Sequence, residues 1–296
     1  MQSPFVYWPC LAGIVFFVAA LFALRAEIAA ARGLEKLVVM GRVFLAASLG
    51  AFGAEHISGA EFVKAVVPVW MPAPLFWTYL VGSALLAVAL AIVVKRHVRL
   101  AGLMYAAMLF LFVLLIHIRG IVAKPHDRIF WAVGLRDFSF AAGGLALAAT
   151  ASGWPRSLSS RTLTLVARFC IGLPMLIFAV EHFLHPQFAL GIPLAKQTPA
   201  WVPAPAAWGY VTGAGLIIAG ICILANKQAR SAATWLGLLI TLDTLAIYLP
   251  MLVLATGTAA QLEGVNYVAD TLLYAATILL LAAALPNGSN RVPYSP

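Results

Sequence analysis

Charge is what this chain has least of. Only 10% of its residues are Asp, Glu, Lys or Arg, against 63% hydrophobic. A soluble domain carries roughly 25% charged residues to cover its surface, so a free-standing soluble fold is excluded. No polar stretch is long enough to hold a nucleotide, and there is no phosphate loop, nucleophile elbow or dinucleotide fingerprint. Cys10, Cys170 and Cys222 form no C-x-x-C pair, which argues against thiol redox chemistry and cysteine metal sites. No basic patch alternates with aromatics, so nucleic acid is excluded as a partner although the net charge is +9.

What the chain does have is long apolar runs. Nine lie near 8–30, 37–57, 75–95, 98–118, 129–151, 162–184, 205–225, 231–255 and 263–285, each near the roughly 20 residues a helix needs to cross a bilayer. The expected class is an all-α integral membrane protein with nine transmembrane helices. The first run has no Lys or Arg before Arg25 and is long, so it reads as a retained helix and not a signal peptide. Basic residues follow the odd-numbered runs: Arg25, Arg32 and Lys36, then Lys95, Arg96 and Arg99, Arg156 and Arg161, Lys227 and Arg230, and Arg291. With alternating spans they share one side, which the positive-inside rule makes cytoplasmic. The N-terminus is then outside and the C-terminus cytoplasmic.

A proline- and tryptophan-rich frame, P-x-W-x-P-A-P-x-x-W-x-Y-x-x-G, occurs twice, from Pro68 and from Pro199. Its neighbours repeat as well. Arg and Glu-His keep one spacing in "GRVFLAASLGAFGAEH" (Gly41–His56) and "ARFCIGLPMLIFAVEH" (Ala167–His182), and Asp137 stands opposite Asp270. The chain therefore divides into an N-terminal helix (1–36) and two four-helix units (37–151 and 152–296). Four spans separate equivalent points, which makes the units parallel repeats. The Pro-Trp stretches fall on the outer side. Proline breaks helices and favours extended chain, so each stretch is expected as an extended interfacial loop pinned by Trp70 or Trp201. An aromatic anchor without chemistry is the plainer reading, and a lid over an outer pocket the functional one.

Ionisable groups also gather on the outer side: Glu55 and His56, Glu181, His182 and His185, His117 and Arg119, Lys124, His126, Asp127 and Arg128, Arg136 and Asp137, Glu263 and Asp270. Charge inside a membrane is costly and often marks a site. Three readings compete. The groups solvate helix ends and pair with one another, or they line a pocket for a small ligand, or the histidines hold haem or a metal. His56 and His182 can be imagined meeting across the repeat axis, and His182 and His185 share a helix face. No tight metal motif appears, so haem ranks below quinone and no metal site is assigned. Asp243 stands alone near the middle of the eighth run, as a proton-relay group or a satisfied core aspartate.

On the stretches "AEHISGAEFVKAVVPVWMPAP", "VEHFLHPQFALGIPLAKQTPAWVPAP" and "LLIHIRGIVAKPHDRIFW" the chain resembles the DoxX-like/DoxD-like membrane proteins, as a tandem duplication after an extra helix. The likeness covers nearly everything from Gly41 onward. It implies four-helix bundles in the bacterial inner (plasma) membrane, the lipid bilayer as partner, and association with quinone-linked oxidation and a redox enzyme subunit. It carries over no catalytic residue. The second unit departs by lacking the H-I-R and P-H-D-R elements.

The leading expectation is a redox-associated protein binding a small apolar ligand, such as a quinone, near the outer face. Glu55, His56, Glu181 and His182 would meet its polar head, with His117 and Asp137 as further contacts, Arg119 and Arg128 for anionic charge, and Trp70 and Trp201 at the rim. The alternative is a non-catalytic scaffold, assembly factor or lipid-binding protein. A transporter using Asp243 is third.

Overall fold

A bilayer offers the backbone no hydrogen-bond partners, so apolar runs of this length close their bonds internally as helices. The structure, a computed structural model, describes residues 4–155 and 158–286. Arg156 and Arg291, two of the basic residues used for orientation, lie outside them. Among the described residues are nine helices long and apolar enough to cross a membrane. They are α1 (Pro4–Ala23), α2 (Glu35–Ser58), α3 (Pro74–Val94), α4 (Val98–Ala123), α5 (Arg128–Thr150), α6 (Ser160–Leu184), α7 (Pro205–Ala225), α8 (Ala229–Leu254) and α9 (Thr258–Ala284). A short helix, Arg25–Ala30, follows α1.

The helices sort into two layers. α2, α5, α6 and α9 form the buried centre, and α1, α3, α4, α7 and α8 lie outside with a smaller share of their residues buried. α2 packs on α9, α9 on α5, and α5 on α6. α3 then lies on α2, α4 on α5, α7 on α6 and α8 on α9, with α1 covering α2. α2 does not pack on α5, so the segment 37–151 closes no bundle by itself. Its first helix packs on the last helix of the other segment. Small residues allow this closeness. At the α5–α9 crossing, a Cβ added to Gly143 would stand 2.7 Å from Thr277 Oγ1, so only glycine fits there.

Matching events mark the two segments. Ala73 and Ala204 take left-handed conformations (φ 53° and 50°) just before Pro74 and Pro205. Lys95 and His97 (both φ 55°) turn the chain from α3 to α4, as Asn226 and Gln228 (φ 55° and 52°) do from α7 to α8. Arg99 donates to Ala148 O (2.8 Å) and Arg230 to Ala282 O (2.6 Å), capping α5 and α9 where carbonyls lack helical partners. α4 and α8 each contain one π-helical turn, Val113–His117 and Thr244–Tyr248.

Two expectations need correction. The Pro-Trp stretches are turns, not extended chain: Met71 N bonds to Pro68 O (2.9 Å) and Val202 N to Pro199 O (3.0 Å). Proline's fixed φ suits a turn as readily as an extended strand. The fourth helix also continues past residue 118 to Ala123, so His117 and Arg119 sit within it and do not close it.

Candidate functional site

The π turn in α4 sets the position of His117. One residue inserted into the helical repeat shifts every side chain beyond it, and such turns are frequent at functional sites. Here it directs the His117 ring at α5, where Nε2 lies 2.8 Å from Asp137 Oδ2. The other oxygen of Asp137 accepts from Arg136 Nε at 3.0 Å. Arg136 also reaches across the centre, with Nη1 3.2 Å from Asp270 Oδ1 on α9. One turn earlier on α9, Asn266 Nδ2 donates to Glu55 Oε1 on α2 at 3.1 Å.

Together these groups form a polar belt through α4, α5, α9 and α2. Asp137, Asp270 and Glu55 are buried. The belt contains three carboxylic acids, one guanidinium and one imidazole, so even a charged His117 leaves full ionisation one positive charge short. Net charge in a low-dielectric interior is expensive, and a shared proton relieves it. A neutral His117 that donates Nε2–H to Asp137 presents Nδ1 as a proton acceptor. The His117 side chain keeps 12% of its surface accessible, enough for contact from outside the protein.

A second polar group lies between α5, α6 and the loop after α6. Arg128 Nε is 3.5 Å from Glu181 Oε2, its Nη1 donates to Pro193 O at 2.8 Å, and its guanidinium stacks 4.0 Å above the Phe188 ring. That loop turns into the protein, burying Leu190 and Ile192 and holding Leu190 O against Tyr248 OH at 3.1 Å. Tyr248 occupies the last place of its π turn, as His117 does in α4.

The remaining expected site residues are dispersed. His56 Nδ1 lies 2.8 Å from Phe52 O of its own helix, and a Cβ on Gly82 of α3 would come 2.8 Å from the His56 Cβ. His182 stands the same way toward Gly213 of α7. Each histidine thus faces the outer helix of its own segment, not the α5–α9 crossing. His182 is fully buried, its imidazole beside the Gly191 backbone without a well-aligned hydrogen bond. Arg119 stacks 4.9 Å from the Trp70 ring, and Trp201 is half exposed. Asp243 is buried with Oδ2 lacking a partner. Among the described residues no three His, Cys, Asp or Glu side chains are grouped to hold a metal ion.

Asn266 was not legible as a site residue, and Arg136 and Asp270 read only as members of the outer charged group. The signal available was their spacing: Asn266 and Asp270 are four apart on an apolar helix and so share a face.

Fold and site together define an all-helical protein with, among the described residues, nine helices long and apolar enough to cross a membrane and a belt of buried ionisable side chains between them. A family model described as a domain of unknown function (DUF8561) matches residues 45–136, less than a third of the chain. That stretch carries Glu55, His117 and Arg136. No curated protein and no solved structure matches the chain.

Proposed function

We propose that this is a multi-pass protein of the bacterial inner membrane that binds a small apolar ligand with a carbonyl or hydroxyl head, such as a quinone, near its outer face. In this reading the N-terminus is outside, the C-terminus is cytoplasmic, and the chain is a lone helix followed by two parallel-repeat four-helix units. The matched turns, caps and π turns of the two segments support the repeat.

The observation that carries the ligand reading is His117, hydrogen-bonded to a buried carboxylate that is itself held by Arg136. An imidazole oriented this way takes a proton from a hydroxyl head through Nδ1, and Asp137 stabilises the resulting imidazolium. Arg136 and Asp270 hold Asp137 in place. The apolar remainder of the ligand would lie against the lipid-facing sides of α4 and α5. A quinol's electrons would pass to a redox partner subunit.

The test is to purify the protein in mild detergent, record its visible spectrum and analyse an organic extract. Near-stoichiometric quinone without a Soret band, lost in His117→Gln, supports the proposal. A Soret band would replace quinone by haem. A quinone-free extract, together with no binding of added quinone, would sink the ligand reading.

A second reading, a scaffold or assembly factor, is favoured by the belt's internal pairing, since ion pairs can fix helix register without chemistry. A soluble partner that co-purifies with the wild type and with His117→Gln alike would support it.

A further inference from the structure

At the end of the bundle opposite the belt lies a cavity of about 220 Å³, lined in part by Arg42, Lys95, His97, Thr150 and Ser152. It sits among the start of α2, the α3–α4 turn and the end of α5, where helices leave the apolar zone. Two turn positions with left-handed backbone, Lys95 and His97, place both side chains on its wall. Ile92 and Val98 supply an apolar flank.

The matching place in the other segment has lost this character. Asn226 and Gln228 replace Lys95 and His97 in the same backbone conformation. Arg168, at the position matching Arg42, is used up on the end of α7, donating to Ile223 O and Leu224 O at 3.1 Å each. Arg42 instead pairs with Glu27 of the short helix after α1, and the other Glu27 oxygen holds Lys95 Nζ at 2.9 Å. Glu27 offsets only one of these two cations, and Arg99, against the end of α5, donates to Ala151 O on the same wall at 3.4 Å, so the cavity keeps an excess of positive charge. Burial raises the Glu27 carboxyl, but Lys95 and Arg42 together hold it below the usual carboxylate range, so it stays a fixed negative charge.

We propose that this cavity binds the phosphodiester head of an anionic phospholipid. The chemistry fits in three ways. A phosphodiester carries a negative charge, which the positive excess attracts. Arg and Lys are the side chains that bind phosphate. Basic pockets between spanning helices at the bilayer edge take such heads, and the exposed Val94 beside the cavity offers a surface for an acyl chain. Glu27 keeps the two cations in place in the empty site and competes with the phosphate for them.

The test uses the whole protein in detergent with short-chain phosphatidylglycerol, phosphatidylcholine of the same chain length and inorganic phosphate as probes. Binding is read by native mass spectrometry and by the shift in melting temperature. Phosphatidylglycerol is expected to bind at least about fivefold tighter than phosphatidylcholine, the factor set by one basic residue near a membrane surface. Lys95→Gln should remove that preference, and Glu27→Gln should strengthen it. Lys227→Gln, at the other turn, should change nothing. Equal binding of the two lipids, or a preference untouched in both Lys95→Gln and Glu27→Gln, overturns the proposal. Inorganic phosphate that binds as tightly as phosphatidylglycerol overturns the lipid assignment.

Discussion

The loops after α2 and α6 make opposite choices. The first stays on the surface, leaving Val66, Val69 and Trp70 exposed. The second turns inward, closed by a β-bridge between Phe188 and Gln197, and buries Leu190 and Ile192. The polar groups beneath follow suit. Under the outward loop, His56 has a carbonyl partner and His117 remains reachable. Under the inward loop, His182 is fully buried without a well-aligned hydrogen bond, and Tyr248, in the place of His117, is fully buried. Two similar backbones thus differ in access: one leaves His117 partly accessible and the other buries Tyr248. The difference comes from the loop and a few side chains, not from the helices.

The hardest blow to this comparison would be to remove the group that joins the segments. Arg136→Met leaves Asp137 and Asp270 buried without a cation and should cost about 3–5 kcal/mol, read by thermal unfolding in detergent. Adding Asp137→Asn and Asp270→Asn should restore much of that loss. An Arg136→Met protein as stable as wild type would show that the belt is not ionised.

Next in size is ligand binding. His117→Gln should weaken quinone binding about tenfold or more, the worth of a hydrogen bond in a charged network, measured by titration with a short-chain quinone. Tyr248→Phe should leave it unchanged. Equal losses in both would erase the functional asymmetry.

A smaller effect separates the histidines. His182→Leu removes a buried group without a well-aligned hydrogen bond and should change stability by no more than about 1 kcal/mol, or raise it, because a poorly bonded buried polar group is itself costly. His56→Leu loses a hydrogen bond and should lower stability by about 1 kcal/mol. Reversed signs in the two melting curves would contradict the sealed environment of His182.

The smallest prediction concerns Glu27. A carboxyl held low in the folded state stabilises above its unfolded value, about 4.3, and that contribution is lost as pH falls through the folded value. The pair is partly exposed, so the loss should be under about 1 kcal/mol. Glu27→Gln should flatten the acid side of the stability curve by that amount between about pH 5 and 3. The rest of the curve should stay in place.

The nine helices were legible because twenty apolar residues admit few alternatives in lipid. Which of them form the centre was not. Hydropathy is alike for a side chain that meets lipid and one that meets protein, so α3 and α6 are equally apolar in sequence yet lie in different layers. Glu55, His117 and Asp137 stood out as charges on an apolar background, but their partners did not. Asn266 is uncharged, and its contact with Glu55 joins distant parts of the chain. The π turns left no mark, since one inserted residue does not disturb an apolar run. The inward loop was hidden because its proline-rich composition suits a surface turn as well as a plug.

The pairing of α2 with α9 has a consequence for biosynthesis. Glu55 and Asn266 are separated by 211 residues. At roughly 5–20 residues per second, α2 waits about ten to forty seconds before its partner emerges. Through that interval its inner face and the Glu55 carboxyl must be tended by lipid, water or the insertion machinery. Truncation anywhere before α9 leaves α2 permanently in that state. Two fragments divided near residue 152 should instead rescue each other when made in the same cell, each supplying the helix the other lacks.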